Sequence, residues 1–292
     1  MVLITVGVCA YNEGNNIYRC LESIVDQSTE HHIYEIITVS GGSTDDTDQI
    51  VSDFSERDDR VLLVRQEERR GKSAAVNEVI ARAKGEVIVL VNADNQLMEG
   101  SFSQLLEPLS DPSVGMVGGR PVPTNSWDGV AGFATNLLWD MHHRISLRTP
   151  KTGELIAFRN LEFRIPEGVN TDEDWIRMEM ENRGYRVVYA PGAMVVNKGP
   201  DTISDFLSQR IRVNIGEKYM KKRFDFQVPT GENHLVFQSF VESIRGTGGP
   251  LHKIVLAASL ELLSRAYASL HVALGRGDPY IWRMVESTKS LD

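Results

Sequence analysis

The stretch Glu86–Val91 (EVIVLV) constrains the fold more than any other part of the chain. Successive side chains of a strand point to opposite faces, so an almost uniformly apolar strand needs cover on both sides. Elements with the right periods surround it. Leu3–Cys9 is an apolar, β-branched run, and Ile17, Leu21, Ile24 and Val25 follow at helical spacing. Ile33–Val39 reads as a second strand. The turn GGSTDD comes next, with Ser43 and Asp46 at capping-box-like spacing before a helix carrying Ile50, Val51 and Phe54. Val61–Arg65 is a third strand. Lys72–Lys84 places Ala75, Val76, Val79, Ile80 and Ala83 on one helical face and stops at Gly85. This alternation predicts an α/β fold with a doubly wound, mostly parallel sheet.

The second half is less regular. Val114–Arg120, Leu155–Arg159 and Arg186–Tyr189 read as strands, and Trp127–Ile145, Glu173–Asn182 and Thr202–Lys222 as helices. A largely helical tail follows, split by the turn Gly246–Pro250. Ile254–Leu274 is the most apolar helix, but Glu261, Arg265 and His271 interrupt it, so no membrane-spanning segment is expected. It suits a packed amphipathic helix or a membrane-surface helix. Residues 1–9 show no basic, cleavable leader. Cys9 and Cys20 lack metal-like spacing and fit unpaired thiols in a reducing cytoplasm. The net charge of −9 argues against duplex nucleic acid, although Arg65–Lys72 and Arg210–Arg223 leave room for a small anion.

Ligands of such sheets bind at the carboxyl ends of the strands. Three polar clusters fall there: Tyr11–Asn16, Ser40–Asp46 and Asn92–Gln96. In the last, oxygens two residues apart on an extended segment would share a direction and suit Mg²⁺ or Mn²⁺. An Asx turn closing the strand is the competing reading. Asp172, Glu173 and Asp174 open a helix, as cap and dipole chemistry favours, or as a general base requires. Arg210 and Arg212 lie about 200° apart on a helix, so either the segment is locally irregular or one faces the site and the other solvent. His142 and His143 point about 100° apart and do not read as a chelating pair, and His143 is a candidate acceptor-phosphate contact.

Together these strings resemble the family 2 nucleotide-sugar glycosyltransferases of GT-A fold. The matching segments are VGVCAYNEGNNI, VSGGSTDDT, GKSAAVNEVIARAKGEVIVLVNAD, DEDWIRMEMENRGYRVVYAPGAMV and QRIRV, spread over about residues 3–216. The resemblance implies a GT-A domain over 1–223, with a nucleotide-sugar half (1–120) and an acceptor and base half (121–223). A helical C-terminal extension would occupy 224–292. It implies that Ala10, Tyr11 and Glu13 hold the base and ribose of a nucleotide-sugar donor, beside the loop Ser40, Gly41, Ser43 and near Lys72. Asp94 would ligate Mg²⁺ or Mn²⁺ with Asn92 and Gln96 as co-ligands. Asp174 would be the catalytic base, with Glu173 as second choice, and Gln209, Arg210 and Arg212 would contact the diphosphate or the acceptor.

The implied reaction inverts the sugar in one displacement. The implied acceptor is a glycan or lipid-linked molecule, reached by peripheral contact of residues 251–275 with the cytoplasmic face of a membrane. Three departures stand out: Asn92 replaces the first metal-motif acid, Gly41 a base-reading Asp, and Val213 an acceptor-stacking Trp. The first two favour, as an alternative, a nucleotide-sugar-binding module with little turnover. The acidic loop AYNEGNN excludes a triphosphate cradle and a Gly-x-Gly-x-x-Gly dinucleotide site.

Overall fold

The computed structural model describes residues 2–27, 32–277, 279, 281 and 286–289, so the extension expected over 224–292 lies partly outside the described residues. Eight strands form one sheet: β1 (Leu3–Ala10), β2 (His32–Ser40), β3 (Val61–Arg65), β4 (Val87–Asn92), β5 (Gln96–Leu97), β6 (Val114–Pro123), β7 (Leu155–Arg159) and β8 (Arg186–Asn197). Their spatial order is β3-β2-β1-β4-β7-β6-β8-β5. The pairs β1–β2, β1–β4, β2–β3 and β6–β8 are parallel. Strand β7 runs antiparallel to both β4 and β6, joining the two parallel blocks.

The helices are α1 (Ile17–Val25), α2 (Thr47–Ser55), α3 (Lys72–Arg82), α4 (Ser101–Leu106), α5 (Val130–Ser146), α6 (Asp172–Asn182), α7 (Ile203–Phe224), α8 (Asn233–Thr247) and α9 (Leu251–Ala273). Strand β4 is sandwiched as its sequence demands. Val87, Val89 and Val91 join one core, with α1 and α4, while Ile88 and Leu90 join the other, with α3 and α6. Each such side chain contributes about 1.5–3 kcal/mol on burial. Gly85, just before β4, sits so close to β1 that a Cβ would lie 2.4 Å from the Thr5 nitrogen.

The turn after β2 differs from the capping-box expectation. Helix α2 starts at Thr47 with Asp46 at its N-cap and no side-chain cap bond, while Asp45 accepts from the Thr47 amide at 3.1 Å and its hydroxyl at 2.5 Å. In the C-terminal half, α7 packs against α9, and α5 packs against α8 and α9. A bidentate pair from Arg210 on α7 to Glu261 on α9, at 2.8 and 3.1 Å, locks the first of these contacts. Among the described residues no helix is long and apolar enough to cross a membrane.

Candidate active site

The carboxyl ends of β1, β2 and β4 open into a cleft of about 910 Å³. Its far walls are the start of α3, the start of α6, the 151–154 segment before β7, one side of α5 and the middle of α7. Close packing brings these distant segments together. A Cβ on Gly216 of α7 would fall 1.9 Å from Asn170 Oδ1, so glycine there lets α7 rest on the loop that leads into α6.

The first wall is built by interlocked loops. Asn12 takes a left-handed conformation (φ 51°), donates its amide to Ser43 Oγ (3.1 Å) and accepts from the Thr44 amide (2.8 Å). Ser40 Oγ donates to Ser43 Oγ at 3.0 Å. Ser40 and Ser43, expected to line the ligand loop, are thus spent on holding it, and only Gly41 of that trio reaches the cleft. Ala10, Tyr11 and Glu13 do reach it, with the Arg69 guanidinium 4.0 Å above the Tyr11 ring.

Asp94 lies in the turn after β4 and lines the cleft. Gln96 does not join it. The Asn95 amide bonds back to Asn92 oxygen at 3.0 Å, turning the chain, so Gln96 falls on edge strand β5 and is exposed. The extended spacing that would have aligned Gln96 with Asp94 is absent. Asn92 lines the cleft but directs its amide nitrogen to Glu154 Oε2, and Asn95 Nδ2 also donates to the Glu154 carbonyl at 3.2 Å. The second acid at this edge is therefore Glu154, on β7's leading segment, which sequence reasoning did not single out.

Burial and neighbouring charge raise both carboxylates. Burial and then the charge of Asp94 push Glu154 up from 4.5 to about 7. Burial and then Glu13 push Asp94 up from 3.8 to about 6, against the pull of Lys289 and Lys72. Among the described residues no three His, Cys, Asp or Glu side chains converge as a ready-made metal cage. A cation here would take Asp94 and Glu154, with further oxygens supplied by its ligand.

On the opposite wall the acids of α6 part company. Glu173 and Asp172 both pair with Lys72 (3.2 Å to Asp172 Oδ2), while Asp174 turns away to Lys151 Nζ at 2.6 Å. Lys151 also approaches Glu217, which Thr230 Oγ1 caps at 2.6 Å. The Glu173 side chain is 19% exposed, against 2% for Asp172 and 3% for Asp174. Burial favours a raised value for Glu173, but the Lys72 ammonium overrides it and holds Glu173 below the usual range. Asp172, buried and beside Glu173, is pushed up to about 7.

Helix α7 contributes Gln209, Arg212 and Val213 to the cleft. The expectation that one arginine faces solvent is corrected. Arg210 also borders the cleft, but its guanidinium is committed to Glu261, whereas Arg212 is half-buried in the cleft amid the fields of Glu154, Glu173, Asp94 and Asp172. The histidines also trade places. His142 lines the cleft, edge-on to Trp139, and burial drives it down to about 3, so it is neutral. His143 leaves the cleft to bond Tyr189 OH at 2.8 Å.

Known proteins share this fold. The family model "Glycosyl transferase family 2" matches residues 5–165, more than half of the chain. Glycosyltransferase GlyG of Streptococcus pneumoniae is 34% identical over 127 residues, which is 44% of this chain and 42% of the relative. The poly-beta-1,6-N-acetyl-D-glucosamine synthase of Staphylococcus aureus is 24% identical over 221 residues, 72% of this chain and 53% of that one. The chain spans less than half the length of the first curated relatives it matches. Among solved structures, mannosyltransferase PcManGT from Pyrobaculum calidifontis, in complex with GDP-Man and Mn²⁺, superposes with a TM-score of 0.61 at 23% identity. That match covers 94% of this chain and 86% of the other. S. aureus TarS 1-349, in complex with UDP, gives a TM-score of 0.53 at 15% identity, covering 97% and 94%. With a GT-A sheet, a cleft at its carboxyl edge and a family model that matches more than half of its length, the chain belongs to glycosyl transferase family 2.

Proposed function

We propose that this protein moves a sugar from a nucleotide-diphosphate sugar to a hydroxyl or phosphate acceptor, with inversion, using Mg²⁺ or Mn²⁺. The observation that carries the reading is the convergence of Asp94, Glu154, Glu173 and the Arg212 guanidinium on one cleft at the carboxyl edge of the sheet. The bound GDP-Man and Mn²⁺ of PcManGT and the UDP of TarS support the same donor chemistry.

In this reading Tyr11 and Glu13 hold the nucleoside and Gly41 gives it room. Asp94 and Glu154 hold the cation, with Asn92 steering Glu154. A divalent cation bound there offsets charge on the departing diphosphate. Arg212, with Gln209 beside it, meets the same phosphates. Glu173 is the base, in preference to Asp174: both line the cleft, but the Glu173 side chain is 19% exposed against 3% for Asp174, whose carboxylate is held by Lys151. It takes the acceptor proton as the acceptor oxygen attacks the anomeric carbon. The bond to the diphosphate oxygen breaks with its electron pair, so one displacement inverts the centre. Glu154 restores the acid missing at Asn92, which weakens the reading as a module without turnover.

The acceptor is a lipid-linked saccharide or polyprenyl phosphate at the cytoplasmic face of a membrane. Helix α9 supports this: among its exposed residues, including Leu251, Val255, Leu262, Leu263 and Leu270, none is Asp, Glu, Lys or Arg. The exposed basic end of α7, Lys221–Arg223, lies against the C-terminal part of α9, where Lys222 reaches the Val272 carbonyl. The test is release of free sugar from UDP-, GDP- and dTDP-sugars with and without Mn²⁺. Mn²⁺-dependent release that disappears in Asp94→Ala is expected. Nucleotide binding with no release from any donor would favour the binding module instead.

A further inference from the structure

Residues 286–289 lie beside the loop that follows β1. Residues Glu286–Thr288 form a single 3₁₀ turn, and Ser287 fastens it to the start of α7: its Oγ donates to Asp205 Oδ2 at 2.6 Å and accepts from the Asp201 amide at 3.4 Å. Asn15 Nδ2 donates to the Lys289 carbonyl at 3.4 Å. Thus anchored, Lys289 enters the cleft between the β1 loop and Asp94. Its ammonium donates to the Tyr11 carbonyl at 3.0 Å and pairs with the Glu13 carboxylate. The pair is mostly enclosed, with Glu13 7% and Lys289 20% exposed at their side chains.

Charge accounting gives this contact a role. A nucleotide diphosphate brings two or more negative charges to a wall that already carries Glu13, Asp94 and Glu154. Lys72 is engaged with Asp172 and Glu173 across the cleft, so it is not free to neutralise Glu13. We propose that Lys289 is a donor-binding residue, delivered by the C-terminal segment, which neutralises Glu13 and so lets the diphosphate enter beside it. The inference rests on the nucleotide-sugar reading above and adds a cationic residue from outside the region matched by the family model. Losing one cation from an enclosed site that receives a dianion weakens binding about tenfold or more, whereas losing a surface pair would barely register.

The test is calorimetric titration of the full chain with UDP and with GDP, each with Mn²⁺, in the wild type, Lys289→Ala and Lys289→Arg. For the nucleotide that the wild type binds, Lys289→Ala is expected to lose about tenfold in affinity, while Lys289→Arg stays within about threefold. The melting temperature of Lys289→Arg is expected to stay within about 2 °C of the wild type, whereas Lys289→Ala, which leaves the enclosed Glu13 carboxylate without its cation, is expected to melt lower, so affinities are compared well below both transitions. Equal or tighter binding by Lys289→Ala overturns the inference, because the tail is then a spectator or a competitor. Equal losses in Lys289→Ala and Lys289→Arg also overturn it, because charge is then not what matters. A wild type that binds neither nucleotide removes the donor reading itself, and this inference with it.

Discussion

Replacing Glu154 by Gln is the most informative single perturbation of this site. The substitution keeps the shape of the side chain and an oxygen for Asn92 Nδ2 to bond, and it removes only the ionisable group. Burial and Asp94 lift Glu154 from 4.5 to about 7 in the folded chain. A carboxyl so raised binds its proton more tightly when folded. The stability it confers is complete below about pH 4.5 and is lost as pH climbs through 7. That interval corresponds to about 3 kcal/mol, or roughly 6–12 °C in Tm for a chain of this size. Asp94, raised from 3.8 to about 6, adds a loss of the same sign in both proteins. Thermal melts of metal-free protein in EDTA between pH 4.5 and 8 should therefore show a steep fall for the wild type. Glu154→Gln should fall less by about 3 kcal/mol. Adding Mn²⁺ with nucleotide at pH 8 should restore the wild type, and the variant should need at least about tenfold more metal. An identical pH slope in the two proteins would refute the crowding of Glu154 with Asp94, and with it the pairing of these two acids around a cation.

Other residues separate cleanly by role. Glu173→Gln should lower kcat by about 10²–10⁴ with donor affinity little changed, measured by initial rates and calorimetry, because only the proton acceptor is removed. Since Lys72 holds Glu173 below the usual carboxylate range, the acid-side loss of activity should instead follow protonation of Asp94 and Glu154, and raising Mn²⁺ should move that loss to lower pH. Arg210→Ala should cost about 1.5–3 kcal/mol of stability, because Glu261, which the arginines hold at about 2, then keeps only Arg265, and Arg212→Ala should weaken donor binding while melting normally. Gln96→Ala should leave the Mn²⁺ dependence of sugar release unchanged, because that side chain sits on the exposed edge strand.

Periodicity carried the first half of the fold. EVIVLV predicts a strand buried on both faces, and its alternate residues do enter two different cores. The limits of that reading are local and physical. Helix α2 starts after Asp46 rather than at a Ser43 cap because Ser43 is held by Asn12 and Ser40, a tertiary contact that a local pattern does not contain. Gln96 was read as aligned with Asp94 because period-two spacing assumes an extended chain, and one hydrogen bond from Asn95 to Asn92 ends that extension. The acids of α6 were legible as a cluster. Their division of labour was not, because it depends on Lys72 and Lys151, which lie 101 and 23 positions away in sequence from their carboxylate partners Glu173 and Asp174.

What sequence reasoning missed at the site has a common character. Glu154 and Lys289 belong to no contiguous motif, yet each corrects the charge of a residue that does. Glu154 supplies an acid beside Asp94 where Asn92 leaves one missing, and Lys289 supplies a cation for Glu13. A motif records which residue types recur along one segment, whereas electroneutrality in a cleft is satisfied by whichever segments the fold brings near. Asn92 alone therefore argues for a weakened metal site. Asn92 with its amide on Glu154 argues for a relocated one, in which the amide positions the acid rather than replacing it. The double variant Asn92→Asp with Glu154→Gln tests this directly. If the acid has only moved, the pair should recover Mn²⁺-dependent sugar release that Glu154→Gln alone has lost; if release stays lost, Glu154 does something at β7 that an acid at position 92 cannot replace.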